Sequence, residues 1–123
     1  MSAAVTKQAV APHDFSGVGY QEAFKRASAM VPTLRDRAAR AEDMRSLMPE
    51  TEAELHANGL LRMTQPKRWG GMELPWVAMF ELPAEVGRGC ASTAWNLANL
   101  AIHHWMLALY DERAQAEVWE KNP

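Results

Sequence analysis

From Tyr20 onward, apolar side chains recur at three- and four-residue steps. Phe24, Ala27, Val31, Leu34 and Ala38 share one side of a helix, while Lys25, Arg26, Arg35, Asp36 and Arg37 fall largely elsewhere. Pro32 interrupts this pattern, because proline brings no N–H and crowds the preceding turn. The expectation is two helical segments in near-continuity, ending near Met44 or Ser46. Pro49 suits the first turn of the next helix, where Glu50 and Glu52 meet the positive end of its dipole. Leu55 supplies its inward side, and Gly59 ends it with left-handed dihedrals. Residues 60–63 read as a short extended piece, and residues 65–71 as a loop turned sharply by Gly70-Gly71. A further helix is expected over residues 75–86, with Val77, Phe80, Leu82 and Val86 inward and Gly87 and Gly89 at its end, although Pro83 opposes it. Ser92 or Thr93 can cap a helix running to about Leu109, and Asp111 can cap a last one holding Ala114, Val118 and Trp119. Residues 1–18 keep no period and read as a flexible arm. The fold class is therefore all-α, about five to six helices in one domain over residues 19–123, with no strand pair.

The helix at residues 91–109 is apolar nearly all the way round. Ala94, Trp95, Leu97, Ala98, Leu100, Ala101, Ile102, Trp105 and Met106 leave it no solvent face, so it is expected to be the most buried helix, central in the domain or covered by something else. Its polar residues Ser92, Asn96, Asn99 and His103 fall at steps of four, three and four, which stacks them on one side. An unsatisfied buried amide or imidazole costs about 1–3 kcal/mol, so the stripe requires partners. Those partners are either backbone groups or another domain, or the stripe is the polar wall of a cofactor or substrate cleft lined by Trp95.

Composition narrows the function classes. A chain of 123 residues can bury one core, and 48% apolar with 23% charged residues is ordinary for a globular protein. A net charge of -2 lacks the basic footprint of nucleic-acid binding. The one cysteine, Cys90, excludes an internal disulfide and suits a reducing cytoplasm. No apolar stretch has signal-peptide character, and none approaches the roughly 18 residues of a membrane span. Eight methionines and five tryptophans are a large apolar endowment for this length.

Other possible chemistry is weaker. His103 and His104 are adjacent and point apart on a helix, so they cannot share one metal, and His13 and His56 have no partner spacing; no metal site is expected. One histidine of the pair is read as structural. The other, His103, lies on the stripe and is the candidate catalytic group, since an imidazole with an ordinary pKa of about 6.5 can donate, accept or take a proton. The Gly87-Arg88-Gly89 sequence lacks the third glycine and the preceding strand of a dinucleotide fingerprint. Cys90 reads as a small buried residue, and Lys67-Arg68 as a solvated basic loop rather than a phosphate site.

Three stretches carry a resemblance. Glu54-Leu55 through Gly59-Leu60, then Gln65-Pro66-Lys67-Arg68-Trp69-Gly70-Gly71, then Cys90-Ala91-Ser92-Thr93-Ala94-Trp95 are similar to the N-terminal domain of the acyl-CoA dehydrogenase superfamily. The last stretch with Ile102-His103 resembles more specifically its two-component, flavin-dependent aromatic monooxygenases, such as the oxygenase components for 4-hydroxyphenylacetate and for a secosteroid phenol. The resemblance implies a longer enzyme whose middle β-domain and C-terminal bundle are absent here. It also implies a homotetramer, a separate flavin reductase component, reduced FMN or FAD, O2 and a phenolic substrate. By the same resemblance Trp95 belongs to the cofactor and His103 to the substrate and to catalysis; of their neighbours on the stripe, Asn99 is assigned to the cofactor and Asn96 to the substrate. The alternatives are the N-terminal domain of an acyl-CoA dehydrogenase and a non-catalytic helical interaction module. Trp95 and His103 favour the hydroxylase branch, because binding a thioester gives an imidazole in that stripe no evident task.

Overall fold

The computed structural model describes residues 14–123. Its helices are α1 (Tyr20–Met44), α2 (Pro49–Asn58), α3 (Ala78–Gly87), α4 (Ala91–Ala108) and α5 (Glu112–Trp119), with 3-10 turns at Leu60–Arg62 and Lys67–Trp69. No strand occurs among the described residues, so the protein is all-α as its periodicity requires. Most of the expected N-terminal arm, residues 1–13, lies outside the described residues. The remainder is docked: Phe15 is buried, and its N–H donates to the Gly70 carbonyl at 2.8 Å.

Several local expectations change. The two segments around Pro32 are one helix of 25 residues. Pro32 is exposed, so water can reach the turn that loses a hydrogen bond. Ala23, Ala27, Met30, Val31 and Leu34 form the buried side of α1. Residues 60–63 are not extended but coil into a 3-10 turn that buries Leu60, Leu61 and Arg62. The third helix begins at Ala78 rather than Pro75 and passes through Pro83. It buries Ala78, Met79, Leu82, Pro83 and Val86, while Val77 and Phe80, expected inside, are exposed. Cys90, not Ser92 or Thr93, stands at the N-cap of α4, without a side-chain capping bond. Asp111 does cap α5, accepting from the Arg113 N–H at 2.9 Å. Gly59 closes α2 at φ 77°, and a Cβ there would strike the Phe15 ring at 2.5 Å, so both dihedral and space demand glycine.

α1, α3 and α4 pack side by side around the core, with α2 and the Leu60–Arg62 turn closing one end. Polar ties fix the register: Ser28 Oγ donates to Glu85 at 2.9 Å, joining α1 to α3. Arg37 makes a two-pronged pair with Glu54 at 2.9 and 3.0 Å, joining α1 to α2.

The largest correction concerns α4. Only Thr93, Leu97 and Ala101 are buried in it, whereas Trp95 is 73%, Leu100 46% and Leu109 68% exposed. The helix is not central: α3, the Leu60–Arg62 turn and, toward its C-terminal end, α5 pack against it, and the side bearing Trp95 and Leu100 lies open. Of the two possibilities its composition left, the central helix fails. An apolar face that lies open in this chain is what remains.

Candidate functional site

The polar stripe lies off the buried seam of α4. Thr93, Leu97 and Ala101 point to the core, so the helix turns Ser92, Asn99 and His103 outward, with Asn96 half-buried. The stripe finds part of its hydrogen bonding on its own helix: Asn96 Nδ2 donates to the Ser92 carbonyl at 2.8 Å. His103 Nδ1 lies 2.5 Å from the Asn99 carbonyl. Because a carbonyl only accepts, Nδ1 carries the proton in that contact, and the neutral ring keeps Nε2 as its acceptor.

Two hollows flank the face and divide the predicted site residues. A cleft of about 330 Å³ between α3 and α4 is lined by Trp76, Met79, Phe80, Trp95, Ala98, Asn99 and Ile102. A second hollow of about 630 Å³ lies between the end of α1, α2 and α4, and takes in Arg45, His56, Ser92, Asn96 and Leu100. Trp95 and Asn99 are thus brought together, while Asn96 faces the other hollow and His103 lines neither. The single polar wall expected from helical spacing is split, because residues 60° apart on a helix meet different neighbours once both sides are flanked.

His104 points elsewhere. It stacks on Trp119 at 5.7 Å with 10° between the planes, and its Nδ1 is buried without a partner among the described residues. Burial first, then the positive fields of Arg62, His103 and His56, push its pKa down to about 4. This imidazole is packing between α4 and α5, held neutral by its surroundings.

The chain contains functional-looking residues that the sequence did not mark. Trp76 packs on Trp105 at 4.6 Å and meets Phe80 edge-on at 6.0 Å, giving the cleft an aromatic end. The one available signal was the number of tryptophans. Gln115, mid-way along α5, is buried and makes four side-chain bonds, to the Ala108 and Tyr110 carbonyls and from Arg68 and Trp69. Lys67 and Arg68 are exposed, as expected of a solvated basic loop, and Arg68 also pairs with Glu112 at 2.7 Å and holds the loop to α5. Arg62 is buried under the Phe15 ring at 5.2 Å and donates to the Gln65 side chain and the Trp69 carbonyl. Cys90 is buried, in keeping with a packing role. Among the described residues, no three His, Cys, Asp or Glu side chains gather as a metal site. No helix of the described residues is long and apolar enough to cross a membrane.

Comparison with known proteins decides the family, since the model of the acyl-CoA dehydrogenase N-terminal domain matches residues 20–121. The chain belongs to the acyl-CoA dehydrogenase N-terminal domain family. Within this family it is 39% identical over 94 residues, 76% of its length, to the flavin-dependent monooxygenase oxygenase subunit HsaA of Mycobacterium tuberculosis, covering 24% of that protein. It is 31% identical over 110 residues, 89% of its length, to the oxygenase component of p-hydroxyphenylacetate 3-hydroxylase from Acinetobacter baumannii, covering 25% of it. The crystal structure of the HsaA monooxygenase superimposes with a TM-score of 0.80 at 37% identity, over 84% of this chain and 28% of that one. The chain spans about a quarter of the length of the curated relatives it matches.

Proposed function

We propose that this chain is the helical N-terminal domain of a flavin-dependent monooxygenase that hydroxylates a phenolic substrate with reduced flavin and O2. The observation that carries the reading is His103, an imidazole on the open face of α4 whose Nδ1–H is committed to the Asn99 carbonyl. Its Nε2 is left to accept a proton. A phenol becomes a stronger nucleophile at its ring carbons as that proton leaves, and a positioned base typically contributes about 10²–10⁴-fold. The likeness to flavin-dependent aromatic hydroxylases supports the reaction class.

Trp95 and Asn99 fit a flavin as one wall of its site: a flat indole face and a carboxamide share one cleft, suiting a ring that has both a π surface and a hydrogen-bonding edge. Bound reduced flavin, FMN or FAD, supplies the activation of O2 and the transfer of its oxygen. The residues of this chain position the substrate, hold its proton at His103 Nε2 and exclude water with the apolar face of α4. Asn96 is set apart from this reading, because it lines the other hollow and its amide is engaged by Ser92. In the same proposal, a separate reductase delivers the reduced flavin, and the complete enzyme is a cytoplasmic homotetramer, testable by its mass in solution.

The test uses the full-length protein with reduced flavin from an unrelated reductase and a panel of phenols, with the hydroxylated product quantified by mass spectrometry in ¹⁸O₂. Incorporation of one labelled oxygen into product is expected. His103→Ala is expected to lower product per turnover by about 10²-fold or more while reduced-flavin binding stays near wild type. His104→Ala, about 100° away on the helix, serves as the comparison. Oxidation of acyl-CoA thioesters without phenol hydroxylation would identify the dehydrogenase chemistry instead, and no turnover of either kind would leave an interaction module.

A further inference from the structure

Much of what seats α4 in the domain is smooth. Its buried residues are Thr93, Leu97 and Ala101, and the last two offer only apolar surface to the core. Apolar burial is non-directional, so it sets no sharp register along the helix axis. A hydrogen bond does, because it weakens steeply once its geometry leaves a narrow range. Such a bond reaches the middle of α4 from outside the helix. Thr64, two residues past the Leu60–Arg62 turn, is buried, and its Oγ1–H donates to the Ala101 carbonyl at 2.9 Å. By helix geometry the same carbonyl faces the Trp105 N–H, and an oxygen with two lone pairs has room for both donors. Further along, the Gln115 side chain holds the Ala108 and Tyr110 carbonyls. His103 stands between these two grips, and Ala101 is the nearer. It lies two residues away, about 3 Å along the axis and about 200° around it. Thr64 therefore meets α4 on the side away from His103, midway in height between that imidazole and the Asn99 carbonyl that holds its Nδ1.

We propose that Thr64 is a positioning residue for the His103 base: its hydroxyl fixes the height of α4, and so the point at which His103 Nε2 is presented to the phenol. This role rests on the monooxygenase reading and extends it to a side chain on the buried side of α4. Proton transfer operates over hydrogen-bond distance, and a misplacement of about 1 Å can cost on the order of 10²-fold. A helix that loses Thr64 keeps its packing and its Gln115 grip and moves by less, which sets the expected loss at about 10-fold. Removing the hydroxyl leaves the Ala101 carbonyl its partner inside the helix, so no buried acceptor is orphaned.

The experiment uses the full-length protein with reduced flavin and a phenol, and measures kcat, KM for the phenol and product per reduced flavin. Thr64→Val keeps the shape and removes the donor. It is expected to lower kcat about 10-fold and leave KM within about 2-fold, the pattern of an interaction that matters only in the transition state. Thr64→Ser keeps the hydroxyl and is expected to stay near wild type. Thr64→Ala differs from Thr64→Ser by that oxygen alone, so this pair carries the comparison if Thr64→Val does not fold. A cycle with His103→Ala separates positioning from structure. With the imidazole gone there is nothing to position, so Thr64→Val is expected to lower turnover no further in that background. Ser28→Ala, which removes a 2.9 Å bond between α1 and α3, is expected to leave kcat unchanged. In the 123-residue chain itself, Thr64→Val is expected to move the Trp105 amide and His103 ring signals in NMR, and Thr64→Ser to leave them in place. Unchanged kcat in Thr64→Val, no recovery in Thr64→Ser, unmoved His103 signals, or an equal loss with and without His103 would each overturn the role of Thr64. Hydroxylation that still depends on His103 leaves the reaction standing in those cases. A wild type that hydroxylates no phenol, or one indifferent to His103→Ala, removes the base and Thr64 with it.

Discussion

Replacing Gln115 by leucine removes a buried carboxamide while keeping roughly its volume, so the loss is polar rather than steric. Its Nε2 donates to the Ala108 carbonyl at 3.0 Å and the Tyr110 carbonyl at 2.8 Å, which ties the last turn of α4 to α5. Its Oε1 accepts from Trp69 Nε1 at 3.2 Å and from Arg68 at 2.5 Å, which ties the Gly70 loop to the same point. A neutral hydrogen bond contributes about 0.5–1.5 kcal/mol net, and one to a charged group about 1.5–3 kcal/mol. Arg68 is half-exposed and keeps Glu112, so its share falls near zero on substitution. The other three bonds set the expectation that Gln115→Leu costs about 2–4 kcal/mol. Urea unfolding, followed through the fluorescence of Trp69 and Trp119, measures it. With an m-value of about 1–3 kcal/mol per molar, the midpoint falls by roughly 1–2 M at unchanged m. Glu112→Ala, which removes only the exposed ion pair, is expected to cost less than about 1 kcal/mol. A Gln115→Leu protein within 0.5 kcal/mol of wild type, taking that as roughly the scale of an inert surface change, would show that α5 is not held by this lock.

Two further outcomes follow from close packing and from burial. A Cβ at Gly89 would lie 2.6 Å from the Val31 carbonyl oxygen and 2.8 Å from Leu34 Cβ, so Gly89→Ala is expected to push α1 from the α3–α4 corner and cost about 1–3 kcal/mol, read as a lowered urea midpoint. His104 has a folded pKa near 4 against an ordinary 6.5. The unfolded chain therefore binds the extra proton between these values, and stability is full above pH 6.5 and lost as pH falls toward 4. The loss at pH 5 is about 2 kcal/mol, and His104→Phe, which keeps a ring on Trp119, is expected to abolish that part of the pH dependence; an unchanged slope would count against it.

What could be read along the chain was what neighbours in sequence decide. The α1 stripe, the left-handed stop at Gly59 and the Asp111 cap each depend on residues within a turn or two, and each stands where the pattern put it. Pro32 misled because the cost of a proline depends on whether water reaches the broken turn, which only the packed helix reveals. Phe80 misled for a related reason: periodicity assigned it inward with Leu82 and Val86, but those two reach the core from their own side of α3. Gln115 carries no local mark at all, since a glutamine in a short helix reads as surface until the Gly70 loop folds over it. Helical spacing set Ser92, Asn96, Asn99 and His103 in one stripe, but did not show that α2 and α3 would divide it between two hollows. Trp76, in the turn before α3, and Phe80, in α3, complete the α3–α4 cleft, and a contact between separate elements is not written in the period of either.

His103 and His104 show how one peptide bond separates two kinds of chemistry. A step of about 100° around α4 carries the ring from the open face to the seam with α5. At the seam, Trp119 covers the imidazole, burial and the nearby positive groups disfavour its proton, and the ring serves as a neutral plate between helices. On the open face, the Asn99 carbonyl fixes which nitrogen of His103 holds the proton, without covering the other. A base needs both features: a defined tautomer and an accessible lone pair. The exposed apolar residues on α4 nearest His103 in helical position, Leu100 and Met106 among them, make poor sense as a surface left in water. They make better sense as the rim of a site that must be dry when it works. Removing one ring and keeping the other is a sharp way to weigh the proposal: the single variant His103→Leu, with His104 intact, keeps the plate and loses the base. If phenol turnover survives it, neither the tautomer nor the open face of α4 has the role given to it here.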